Sequence, residues 1–134
     1  RTMRQLLDTE PGNADALNYL GYLLANHGRQ LDEAVRLVQR ALEADPGNPS
    51  YLDSLGWAYF HKGDMDQAEK FLTPAAQQLP RNSVIQEHLG DVLGRRGRWA
   101  DAIVAWTRAL ETDTGDLNRR SVEKKIQDAR SKAR

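Results

Sequence analysis

The side chains that could do chemistry are few and scattered. Three histidines, His27, His61 and His88, are the natural candidates for proton transfer near neutral pH or for metal ligation. None forms an i, i+4 pair with a second ligand of the right kind, so no helical metal face is written into the chain. Zero cysteines exclude a thiolate nucleophile, a thiolate metal site and a disulfide framework. The stretch "DMDQAE" (64–69) resembles a calcium loop faintly, but it lacks the glycine at the sixth position and the distal glutamate. No glycine-rich phosphate loop and no serine–histidine–acid set stands out. The expectation is a protein that is not an enzyme and needs neither cofactor nor metal. One dense cluster remains. "LGWAYFHKGD" (55–64) packs Trp57, Tyr59, Phe60 and His61 into five positions of a chain with three Trp, four Tyr and two Phe.

That cluster is one copy of a repeated pattern. "LNYLGYLL" (17–24), "LDSLGWAY" (52–59) and "QEHLGDVL" (86–93) align on a shared Leu-Gly pair, with glycines at 21, 56 and 90. Ala34, Ala68 and Ala102 recur in step, as do Ala41, Ala75 and Ala109, and Pro46 with Pro80. A recurring period of this length signals a stacked repeat architecture, in which each unit buries its faces only against its neighbours. Leu52, Leu55, Gly56 and Tyr59 follow i, i+3, i+4, i+7 spacing, one face of a helix, and Ala68, Phe71, Leu72 and Ala75 do the same on the next. A mid-helix glycine costs about 1 kcal/mol relative to alanine, so its return at one phase predicts close helix–helix approach. Gly28, Gly63 and Gly97 are placed to stop helices. Asp15, Ser50 and Ser83 are placed to cap helix starts.

These residues resemble the tetratricopeptide repeat, whose pattern runs W-x2-L-G-x2-Y, then A-x3-F, then P. The middle unit matches at Leu52, Leu55, Gly56, Tyr59, Ala68, Leu72 and Pro80, and the first at Leu17, Leu20, Gly21, Leu24, Ala34, Val38 and Pro46. The third matches at Leu89, Gly90, Leu93, Ala102 and Trp106, but carries Gln86 in place of the opening large apolar residue and has no closing proline. The fold implied is an all-α solenoid: antiparallel helix pairs in a right-handed superhelix, ended by a C-terminal capping helix. The expected division is the second helix of a preceding repeat (1–13), units at 14–48, 49–82 and 83–116, and a basic capping helix at 117–134. The helices are predicted at 14–27, 31–45, 49–62, 65–79, 83–96, 99–112 and 116–132, after a half-pair at 1–9. A first residue Arg1 in place of Met reads as a piece of something longer, and exposure of Met3, Leu6 and Leu7 would invite self-association.

The resemblance also implies that the first helix of each pair lines a concave groove. Groove positions are then Asp15, Asn18, Tyr19, Tyr22, Ala25 and Asn26; Ser50, Asp53, Ser54, Trp57, Phe60 and His61; and Val84, Glu87, His88, Asp91, Gly94 and Arg95. Of these, Asn18, Tyr22, Asn26, Asp53, Trp57, His61, Glu87, His88, Asp91 and Arg95 are the candidate partner-binding residues. At 100° per residue, Tyr59 lies about 200° from Trp57, so Tyr59 belongs to the core while Trp57 and His61 share the groove face. Trp57 is expected to touch a partner, since rigid aromatics anchor protein interfaces; packing between repeats is the competing reading, and the favoured one for Phe60. Trp106 should be core, and Trp99 should cover a turn. Some family members grip a peptide's C-terminal carboxylate with Lys, Asn and Arg. Those phases here hold Asn18, Tyr22, Ser54, Val84 and His88, so that clamp is not expected.

Charge refines the partner. The chain is formally neutral, with 19 basic and 19 acidic residues. Residues 117–134 hold seven basic side chains against two acidic ones, leaving the remainder acidic. Asp53, Glu87 and Asp91 suggest a carboxylate-lined groove end that attracts a Lys- or Arg-containing segment. The tail, with Val122, Ile126 and Ala129 in one stripe, reads as a cap rather than a nucleic-acid surface, because stacking aromatics are missing. No window approaches the length of apolar sequence that a membrane span requires. The function expected is a non-catalytic scaffold that binds a partner polypeptide in its groove. The alternative is a structural or self-associating end-piece of a longer array. The wording of the second and third units is similar to the C-terminal repeats of bacterial adaptor proteins, which implies a cell-envelope or periplasmic location over a cytoplasmic one.

Overall fold

The computed structural model describes residues 12–133 together with Gln5, Leu7 and Glu10. Among the described residues seven complete helices follow in order: α1 (Ala14–Asn26), α2 (Leu31–Ala44), α3 (Pro49–Lys62), α4 (Met65–Gln78), α5 (Ser83–Arg95), α6 (Trp99–Thr112) and α7 (Arg119–Lys132). No strand occurs among the described residues. Helices α1 and α2, α3 and α4, and α5 and α6 pack as pairs, and α7 packs on α6. The expected half-pair at 1–9 lies outside the described residues, apart from Gln5 and Leu7, whose backbone is helical. Leu7 packs against the core of the first pair.

Small residues set the spacing within each pair. The six phased alanines are fully buried. A Cβ added to Gly21 would stand 2.6 Å from Val38 Cγ2, and one added to Gly56 would stand 2.6 Å from Leu72 Cγ. At Gly90 the Trp106 indole fills the same space. Any side chain there would push the pair apart and forfeit dispersion contacts along its length. The turns follow the stop-and-cap logic with one correction. Gly63 ends α3 at φ 85°, and the amide behind it, from Asp64, donates to the Tyr59 carbonyl, closing the helix end. The caps, however, are asparagines and not Asp15, Ser50 and Ser83. Asn13, Asn48 and Asn82 accept from the amides of Ala16, Tyr51 and Ile85 at 3.0, 3.1 and 3.0 Å. Each stands one or two residues before the expected cap, because the cap residue must itself leave helical φ/ψ. Asn118 does the same for α7 through Ser121. That helix starts three residues after the expected 116, since Asp113 Oδ1 gathers the amides of Gly115, Asp116 and Leu117 into a turn first.

Successive pairs are tied by contacts between their first helices. Tyr51 of α3 donates to Asp15 of α1, Trp57 Nε1 donates to Asn26 Oδ1 at 3.3 Å, and His88 Nδ1 lies 2.8 Å from Asp53 Oδ1. A second series links the end of each first helix to the start of the preceding second helix: Lys62 with Asp32, then Arg96 with Asp66. These two bridges are the same contact one repeat apart.

Candidate functional site

The ten candidate residues lie on α1, α3 and α5, each of which starts at an asparagine cap. Three of the ten are buried, and that changes their roles. Trp57 is 8% exposed. Its ring is stacked between Phe60 of its own helix, with centroids 4.7 Å apart, and His88 of the next repeat, at 3.8 Å and inclined by 15°. His61 meets the same indole edge-on at 4.8 Å. The expectation that Trp57 is presented to a partner is therefore corrected: it packs the second repeat against the third. Asp53 and His88, also expected to line the groove, are buried against each other. A buried carboxylate needs such a partner, because unpaired burial of its charge is costly.

The carboxylates at the groove's other end are met from within the chain. Glu87 and Asp91 both accept from Lys125 Nζ, at 2.8 and 2.9 Å. Asp91 Oδ1 also accepts from Trp106 Nε1 at 3.0 Å. Burial pushes the Asp91 carboxyl above the ordinary aspartate range, against the lowering pull of Lys125 and Trp106. Burial also opposes the charge on Lys125, yet Asp91 and Glu87 raise its pKa overall. The cation that these acids attract comes from the chain's own final helix. Sequence spacing could not reveal this, because it depends on how α7 docks through Val122, Ile126 and Ala129, all buried.

Five candidates stay at or near the surface. Tyr22 is half-buried, its ring 6.2 Å from that of His88, and burial raises its phenol pKa with help from Asp53 and Glu87. Asn26 is exposed and Asn18 half-buried. Arg95 is exposed, with its guanidinium carbon 4.9 Å from the centre of the Phe60 ring. His61 is half-buried, and its pKa is lowered by burial first and then by His88 and Arg95. Two polar atoms on this face are buried without a hydrogen-bond partner: Asn18 Oδ1 and His61 Nε2. Such atoms are rare in settled interiors and mark places where a ligand can supply what is missing.

Tyr59 is half-buried and stacks on Phe71 at 5.9 Å, away from the groove face. Trp106 is buried in the last pair, and Trp99 lies under the Lys132 ammonium at 4.7 Å. No group of three or more metal-ligating side chains forms among the described residues. No described helix is long and apolar enough to cross a membrane.

Comparison with known proteins places this architecture. Two family models, each described as tetratricopeptide repeat, match residues 1–49 and 29–89. A TPR repeat-containing protein of Pseudomonas aeruginosa is 37% identical over 91 residues, which is 68% of this chain. The chain spans only 15% of that relative's length. Among solved structures, the Sgt2 TPR domain from Aspergillus fumigatus superposes with a TM-score of 0.78 at 21% identity, covering 90% of this chain and 78% of that one. The first TPR of Spaghetti, solved with the HSP90 peptide SRMEEVD, gives a TM-score of 0.74 at 22% identity, covering 88% of this chain and 93% of that one.

Proposed function

The chain belongs to the tetratricopeptide repeat family, and from that membership we propose that it is a non-catalytic scaffold holding a partner polypeptide along the face of α1, α3 and α5. The carrying observation is the pair of unmatched buried atoms, Asn18 Oδ1 and His61 Nε2, on the face that also presents Tyr22, Asn26 and Arg95. An extended peptide has a donor and an acceptor at every residue and can satisfy both. Tyr22 adds rigid amphipathic area of the kind that concentrates binding energy. A relative of the same fold holds a peptide, which supports the class of ligand without fixing its sequence. The charge demand is small. Glu87 and Asp91 share the single ammonium of Lys125, leaving one excess carboxylate to favour a single basic residue in the partner. Capture of partners from extract by wild type and by a Tyr22→Ala, Arg95→Glu double variant tests this. Equal capture by two folded proteins would sink it.

One observation favours the alternative of an end-piece that joins a further repeat or a second copy. Tyr19 occupies the phase of Ser54 and His88, which are buried between repeats, yet it is 46% exposed. Light scattering across concentration, with Tyr19→Lys as the comparison, tests that reading. A strict monomer for both proteins counts against it.

A further inference from the structure

A further feature lies along α4 and α6. Hollows between α4 and α6 run together through Thr73, which lines all three of them. The largest has a volume of about 520 Å³, within the range of sites that seat a ligand. Leu89 is partly exposed here, while its counterpart Leu55 one repeat earlier is buried. Val104, one of two large apolar side chains left exposed among the described residues, stands on the rim.

One buried polar atom in this trench is unmatched. Gln86 stands where the first two units carry Leu17 and Leu52, and it is 2% exposed. Its Nε2 donates to the Pro80 carbonyl at 3.1 Å, which fixes the amide, and its Oε1 has no partner. Pro74, lining one end, has no N–H, so the Lys70 carbonyl loses its helical donor. The acids nearby are already matched: Asp66 and Glu69 to Arg96 and Arg98, and Asp101 to Arg98. The Arg108 guanidinium bridges no carboxylate among the described residues, and the Lys70 ammonium lies over the Phe71 ring, 5.4 Å from its centre. The trench therefore offers an unmatched acceptor in Gln86 Oε1, a guanidinium in Arg108 and an apolar side chain in Leu89.

We propose that this trench is a second docking site, taking an extended acidic segment of a partner protein. An apolar residue of the segment sits on Leu89, a backbone N–H reaches Gln86 Oε1, and a carboxylate pairs with Arg108. The site is separate from the groove.

The probes are two capped pentapeptides, one alternating aspartate and leucine, the other with lysine in place of aspartate, each titrated into isotope-labelled protein and followed by NMR. The acidic peptide should shift the Thr73, Leu89 and Arg108 amides saturably, and the lysine peptide should not. Arg108→Glu should weaken binding roughly tenfold, the size of a lost charge-assisted contact. Gln86→Leu, which restores the residue type of the sister repeats and keeps the fold, should weaken it similarly. Tyr22→Ala should leave it unchanged, separating this site from the groove. Absence of saturable binding, equal binding of the lysine peptide, or full affinity in Arg108→Glu overturns the proposal.

Discussion

Trp57 of the second repeat lies flat against His88 of the third, with ring centroids 3.8 Å apart. His88 in turn reaches back to Asp53, one turn of α3 before Trp57. The joint between these repeats is thus an aromatic stack pinned by a buried polar contact.

Trp57→Ala removes the middle ring of that stack. It should destabilise the chain by about 3–5 kcal/mol, the cost of emptying a large buried aromatic site, while Trp57→Phe should lose less. Urea unfolding of the three proteins measures this. A loss under about 1 kcal/mol for the alanine variant would match a surface residue and contradict the burial argument.

Lys125→Ala leaves Glu87 and Asp91 without their shared cation. Because the site is partly buried, the expected cost lies between that of a surface pair and that of a buried one, about 2 kcal/mol. The gap between wild type and variant should narrow as salt rises. Equal stability at low salt would mean that α7 is held by Val122, Ile126 and Ala129 alone.

His61 makes the fold sensitive to acid. Its folded pKa lies below the ordinary 6.5, chiefly through burial. The neutral ring is therefore the form that favours folding. This contribution is complete above the unfolded value and disappears as pH falls through the folded one. His61→Gln should flatten the loss of stability just below pH 6.5, before the carboxylates titrate. Identical pH profiles for the two proteins would remove His61 from the account.

Tyr51 acts at the other end of the scale. Its hydrogen bond to Asp15, with burial adding to it, pushes the phenol up from 10.0 to about 12. With the folded pKa raised, this stability is full below pH 10 and is lost as pH climbs toward 12. Tyr51→Phe should remove that part of the alkaline slope, read as the difference between two melting curves across the window.

Much of the fold was legible because it rests on small residues whose reasons are local to one pair. Glycine and alanine at fixed phases announce close approach, and the contacts at Gly21, Gly56 and Gly90 are those that the phases require. The asparagine caps were equally visible, at 13, 48 and 82, the same spacings as the Leu-Gly pairs, but Asp15, Ser50 and Ser83 lay nearer the apolar pattern and drew the assignment. The site was read less well. A helical wheel gives the direction of Trp57 from its own axis but not how far α5 leans over it, so His88 stacking on the indole could not be foreseen. Lys125 is separated from Asp91 by 34 residues and meets it only because α7 docks back on the last pair.

The central claim is that a partner lies along α1, α3 and α5. It is tested most directly by titrating a captured partner into isotope-labelled protein and following the side-chain resonances of Tyr22, His61 and Arg95. These should move together and saturate at one stoichiometry, with the His61 ring changing most as its unmatched Nε2 gains a partner. Saturable binding that leaves all three unmoved, with changes confined to α2, α4 and α6, would contradict it.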